Sequence, residues 1–241
     1  MDGMETSLAL CRALDEMLKY NCKLANYSFG ESVCPDDPSL KSLTGRFIEK
    51  LEEHALKHGV IFVTSAGNSG PTLMTIGAPK MCTEKAISVG AYTDNELLNN
   101  MYALPSNGFE SGPYHWSSRG PMFNRSMGID ILAPGCALTS YPQWFKSNMN
   151  MCNGTSMACP NAVGIISLIL QNHRNNGANL PFYWVKKYIE NNCKSIDNVE
   201  NFSQGHGLFC NEQNKPNLKK IRNDEYYYDV TSGKTKEHFG E

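Results

Sequence analysis

The stretch Gly154-Thr155-Ser156-Met157-Ala158-Cys159-Pro160 places a serine between a turn of small residues and an apolar helical run, Ala162 to Leu170. A serine there sits at the positive end of a helix dipole, where negative charge on or beside its oxygen is favoured. That is the placement an acyl-transfer nucleophile needs. An isolated Thr-Ser pair before a helix would read as a cap for free backbone N–H groups. The whole string, Asn153 to Pro160 leading into small helical residues, is far more specific than such a pair.

Two further clusters belong beside it. Ser65-Ala66-Gly67-Asn68-Ser69-Gly70 directly follows Val60-Ile61-Phe62-Val63-Thr64, which reads as a buried strand. It therefore lies at a carboxyl strand end, where ligands of α/β sheets bind. Alone, its Gly and Asn would mark a loop with left-handed backbone angles. Asn26-Tyr27-Ser28-Phe29-Gly30-Glu31 closes another strand, Leu24 to Phe29, in which Phe29 alone would read as a core residue.

The elements that must carry these clusters alternate between two periods. Thr6 to Tyr20 predicts a helix with Leu10, Leu14, Met17 and Leu18 on one face. Ser39 to His58 predicts a second, with Leu43, Phe47, Leu51 and Ala55 spaced by four and Gly59 as its C-cap. Strands are predicted at Ala86–Ala91 and Ile129–Leu132, and helices at Ser156–Asn172 and Pro181–Asn192. Alternating strands and helices predict a parallel sheet covered on both faces. From Asn211 to Asp224 the chain turns polar and charged and reads as a linker. Tyr226 to Val230 then reads as a strand with no partner left in the chain.

Together these motifs resemble the subtilisin-like serine proteases, the subtilases. Trp116-Ser117-Ser118-Arg119-Gly120-Pro121 and Leu132-Ala133-Pro134-Gly135 match further stretches common in that family, and both read as structural. The resemblance implies an α/β fold: a three-layer α/β/α subtilisin-like domain with a mainly parallel sheet, its N-terminal portion missing. It assigns residues 1–210 to the C-terminal part of the catalytic domain, and 211–241 to a linker and the start of a β-type domain. It makes Ser156 the nucleophile and Asn68, with the Ser156 N–H, the oxyanion donor. Ser28, Phe29 and Gly30 become one wall of the substrate groove, and Ser65, Ala66 and Gly67 the other.

The match sharpens towards a branch of the family that removes tripeptides from free N-termini. Met4-Glu5-Thr6, Asn161 after Pro160, and Gln204-Gly205-His206-Gly207 carry it. In that branch a glutamate pair at the positions of Glu5 and Glu31 captures the substrate ammonium. A carboxylate pair supplies charge and a steric stop. By themselves Glu5 would be a first-turn helix acid and Glu31 a solvated loop charge. The resemblance also implies peptide substrates with a free N-terminus, a cytoplasmic location, large homo-oligomers of the full-length relatives, and no cofactor.

A nucleophilic serine needs a base, and the base an orienting carboxylate. Subtilases carry both well upstream of the serine. Here only Asp2, Asp15, Asp36 and Asp37 precede Asn68, none in an Asp-[Ser/Thr]-Gly motif. His54 and His58 are the upstream histidines, and His58-Gly59 ends a helix that runs straight into the Asn68 strand. The expectation is a peptidase piece whose Asp and His lie upstream. The alternative is a non-catalytic relative that binds peptides or assembles with a partner. An α/β-hydrolase, with Asp197 and His206 following Ser156 in that fold's order, is a third reading.

A net charge of −2 gives no reason to expect nucleic acid, and no apolar run approaches the roughly 20 residues a membrane helix needs. Nine cysteines without a Cys-x-x-Cys pair argue against structural zinc and for a reducing compartment. No acidic loop cluster suggests calcium, so neither metal nor membrane partners are expected.

Overall fold

The computed structural model describes residues 6–30, 44–102, 110–139, 144, 150–175, 180–210, 221–222, 226–229 and 234–237. In chain order the elements are α1 (Ser7–Lys19), β1 (Leu24–Tyr27), α2 (Thr44–His58), β2 (Ile61–Ser65), β3 (Ala86–Thr93), α3 (Asn95–Tyr102), β4 (Gly112–Pro113), β5 (Ile131–Pro134), β6 (Cys136–Thr139), β7 (Asn150–Asn153), α4 (Thr155–Asn175), α5 (Phe182–Asn191), β8 (Cys193–Lys194), α6 (Asn201–Gln204), β9 (Leu208–Phe209), β10 (Ile221–Arg222), β11 (Tyr226–Asp229) and β12 (Lys234–Glu237).

The main sheet runs β1-β2-β3-β5-β9-β8, with β4 beside β3. The neighbours β1 through β9 pair in parallel, so their carboxyl ends share one edge. Strands β2 and β3 are buried along their whole length, as a sheet covered on both faces requires. Alternation assigns the faces. Ile61 and Val63 join a core with Ala162 and Ile166 of α4 and Trp184 and Val185 of α5. Phe62 joins the opposite core with Leu14 of α1 and Phe47, Leu51 and Ala55 of α2. The result is three layers, α/β/α, with helix α4 lying across β1, β2, β3 and β5.

Local signals account for the boundaries. Thr6 is the N-cap of α1, its hydroxyl accepting from the Ala9 N–H at 3.2 Å. Gly59 takes φ +64° just past α2 with nothing near its missing Cβ, so the left-handed angle alone calls for glycine.

Several expectations are corrected. Tyr226–Asp229 does have partners, β10 on one side and β12 on the other, and Ile221–Arg222 is strand within the stretch read as linker. Strand β1 ends at Tyr27 rather than Phe29, where its ladder with β2 stops. Strand β5 sits two residues later than its apolar run predicts. Leu43 and the rest of 39–43 lie outside the described residues.

The sheet edge opposite the carboxyl ends is locked by charge. Asp130, just before β5, accepts from the Ser88 N–H at 2.7 Å and pairs with Lys80 at 3.1 Å and Lys186 of α5 at 2.9 Å. Lys80, 1% exposed, also reaches Glu84 at 3.0 Å and the Ala86 carbonyl at 3.2 Å. Burial alone would raise the Glu84 pKa. The Lys80 ammonium and hydrogen bonds from Ser126, Lys80 and Asn124 outweigh it and bring it to about 2, against an ordinary 4.5. A depressed carboxylate contributes stability above its unfolded pKa and loses it as pH falls through the folded value. Wild-type stability is therefore expected to decline between pH 4.5 and about 2 more steeply than that of Glu84→Gln. Because Glu84 is 45% exposed, the difference is under about 1 kcal/mol. Urea unfolding at both pH values measures it, and parallel curves for the two proteins would contradict it.

Candidate active site

Ser156 is the second residue of α4, at the carboxyl edge of the sheet. Gly154 starts the turn: its N–H bonds Gly135 O at 2.9 Å, and its carbonyl accepts from Met157 at 3.0 Å and Ala158 at 3.3 Å. The helix below is interrupted once. Pro160 has no N–H to give the Ser156 carbonyl four residues before it. Ala158 and Cys159, fully buried, seat this first turn on the sheet. The Cys159 thiol donates to Val63 O at 3.3 Å, and burial pushes its pKa up to about 12, so it packs rather than reacts.

The Ser156 hydroxyl donates to the Ser28 carbonyl at 2.9 Å, which brings the end of β1 directly to the serine. Beyond Tyr27 and Thr64 the two chains stop pairing, and the Ser65 hydroxyl bridges to Phe29 O at 3.3 Å. Ser28-Phe29-Gly30 and Ser65-Ala66-Gly67 thus meet through this bond, with Ser28 against Ser156; the family resemblance makes them the two walls of the groove. Among the described residues β1 is the last strand on its side of the sheet.

Asn68 stands at the end of the second wall. Its Oδ1 accepts from both the Thr155 N–H and the Thr155 hydroxyl, each at 3.0 Å. The Thr155 hydroxyl in turn accepts from the Gly67 N–H at 3.2 Å. With Oδ1 occupied, the amide's two donors point the other way. A Cβ on Gly154 would stand 3.6 Å from both Asn68 Nδ2 and Ser156 N, so glycine leaves the space between these donors open. Ser156 N belongs to the first helical turn, whose N–H groups have no partner within the helix. Two such donors beside a hydroxyl can hold an oxygen that turns negative during attack on a carbonyl. Thr155 was not singled out in the sequence. Only its adjacency to Ser156 hints at its role, because its partner is 87 positions away.

The other residues considered in the sequence lie elsewhere. Glu5 and Glu31 lie outside the described residues. Asp15 pairs with Lys50 at 2.6 Å between α1 and α2. His54 is buried on α2 with its ring against His58, and burial holds its pKa below the usual imidazole range. Among the described residues no imidazole hydrogen-bonds Ser156, whose hydroxyl is turned to Ser28. His206 rules out the α/β-hydrolase reading by position. Its N–H bonds Asp130 O at the opposite edge of the sheet, and its ring lies 3.8 Å from Glu190. Among the described residues no group of His, Cys, Asp and Glu is placed to hold a metal ion, and no helix is long and apolar enough to cross a membrane.

Comparison with known proteins gives the family and the fold. Residues 2–207 match the Subtilase family. Tripeptidyl-peptidase 2 of Oryza sativa subsp. japonica is 39% identical over 210 residues, covering 86% of this chain and 15% of its own length. Tripeptidyl-peptidase 2 of Caenorhabditis elegans is 37% identical, with the same two coverages of 86% and 15%. The chain thus spans about 15% of the length of these relatives. Among solved structures, a lanthipeptide protease superposes with TM-score 0.66 at 18% identity, covering 87% of this chain and 65% of that one. Sphericase gives TM-score 0.60 at 23% identity, covering 84% and 62%. These structural likenesses carry the fold, and the family match carries the relationship: the chain belongs to the subtilase family of serine peptidases.

Proposed function

We propose that this chain is the nucleophile-bearing part of a tripeptidyl-peptidase that releases tripeptides from the free N-termini of peptides in the cytoplasm. The observation that carries the reading is the convergence of Asn68 Nδ2 and Ser156 N beside the Ser156 hydroxyl. The substrate adds as an extended strand along the segment that ends β1, Asn26 to Glu31, the main chain giving affinity. Glu5 and Glu31 hold the terminal ammonium and set the distance to the third carbonyl. Ser156 Oγ attacks that carbonyl, its proton passes to a histidine held by an aspartate, and the carbonyl oxygen moves between the two N–H donors. The tetrahedral intermediate collapses to an acyl-enzyme and frees the shortened peptide, and water then releases the tripeptide. The histidine and aspartate are supplied by sequence outside this chain, and so is assembly into large homo-oligomers. On this reading the isolated 241 residues turn over slowly.

The test is a fluorophosphonate probe applied to the native full-length polypeptide. Label is expected on the Ser156 peptide, and both label and hydrolysis disappear in Ser156→Ala. Label on another serine, with hydrolysis intact in Ser156→Ala, would sink the assignment. The second reading is a peptide-binding relative without catalysis. That reading predicts tight peptide binding with no label.

A further inference from the structure

The Trp116-Ser117-Ser118 segment reads from sequence as purely structural, yet it grips the Asn68 loop on both sides. Ser118 is fully buried. Its N–H donates to Gly67 O at 2.9 Å, and its hydroxyl accepts from the Ser69 N–H at 3.1 Å. Those are the residues immediately before and after Asn68. Gly67 lies so close that a Cβ on it would come within 2.7 Å of the Ser118 hydroxyl, and its φ of +109° also calls for glycine. One residue further, the Gly70 N–H bonds Trp116 O at 2.9 Å. The segment is itself anchored, because the Ser117 hydroxyl accepts from Ala91 N of β3 at 3.1 Å.

We propose that Ser118 is a positioning residue for the Asn68 oxyanion donor, an inference that rests on the peptidase reading above. Asn68 is exposed, so burial does not hold it in place. Thr155 fixes the head of its side chain, and Ser118 fixes the main chain on either side. A donor acts at full strength only when it needs no reorganisation as charge develops. Small displacements of a positioned group are costly to rate. The Ser118 hydroxyl is therefore the link through which the rigid sheet aims Asn68.

The test is a double-mutant cycle in the native full-length polypeptide, with a tripeptide reporter. Ser118→Ala is expected to lower kcat roughly tenfold, the scale of one lost hydrogen bond, with KM within about twofold. In an Asn68→Ala background the same change is expected to leave kcat within about twofold, because the group it serves is gone. Unchanged kcat in Ser118→Ala, or an equal loss in both backgrounds, overturns the proposal. Unchanged kcat in Asn68→Ala instead overturns the peptidase reading beneath it. Hydrogen exchange on the unsubstituted protein does not depend on how the variants fold: the Ser69 amide is expected to be protected, and exchange at the free-peptide rate also overturns the clamp.

Discussion

Replacing Asn68 with alanine is expected to lower kcat about 10²–10³-fold while leaving KM nearly unchanged. The reason lies in when its donor acts. Under the proposed function, donors at Asn68 Nδ2 and Ser156 N bind the ground-state carbonyl oxygen weakly and the oxyanion strongly. The loss of one such donor costs about 2.7–4 kcal/mol of transition-state stabilisation, a magnitude measured within this same family. Asn68 Oδ1 also accepts two bonds from Thr155, so its removal frees that residue's N–H and hydroxyl. That structural cost is about 1–3 kcal/mol, small enough to leave the protein folded. Steady-state kinetics beside a thermal melt separate the two effects. A loss carried by KM, or one matched by unfolding, would show that Asn68 is not a transition-state donor.

The second large effect is on stability and lies at the other edge of the sheet. Asp130→Asn is expected to destabilise the fold by about 3 kcal/mol, because it leaves Lys80 and Lys186 to share the half-exposed Glu84 in place of the buried Asp130 carboxylate. Burial would raise the Asp130 pKa, but Lys80, Lys186 and the Ser88 N–H outweigh it and hold the carboxyl below its ordinary range. Lys186 is likewise held above the ordinary ammonium value: burial lowers it, and Asp130 more than compensates. Lys80 keeps Glu84 and the Ala86 carbonyl after the change, which limits the effect. For a chain of this length the expected drop in Tm is roughly 10 °C. A drop of about 2 °C or less would mean that the network contributes specificity rather than stability.

The strings that hold Ser156 and Asn68, the proposed nucleophile and oxyanion donor, are legible in the sequence because each is contiguous and sits at an element boundary. Ser156 follows a turn and begins a helix, and Asn68 follows a continuous apolar strand. The apolar spacings of α1 and α2 likewise placed Leu14, Phe47, Leu51 and Ala55 in one core. What escaped has no local signature. Thr155, Ser117 and Ser118 are ordinary polar residues until folding sets them against Asn68, Ala91 and Ser69. The partners of Tyr226–Asp229 were missed because Ile221–Arg222 is two residues long and Lys234–Glu237 shows no apolar alternation. Strand β1 was read too long because Ser28 and Phe29 continue its pattern after its hydrogen-bonding partner has turned away. Under the proposed function those two residues line the substrate groove, so the strand ends where the groove begins.

Under the proposed function, Ser156 removes tripeptides counted from a free amine. Its most direct test is the product ladder, read by mass spectrometry, of one long peptide supplied with a free or an acetylated N-terminus to the native full-length polypeptide. Successive tripeptides from the free peptide alone, and none from either peptide with Ser156→Ala, are the predicted result. Internal cleavage, or equal cleavage of the acetylated peptide, would contradict it.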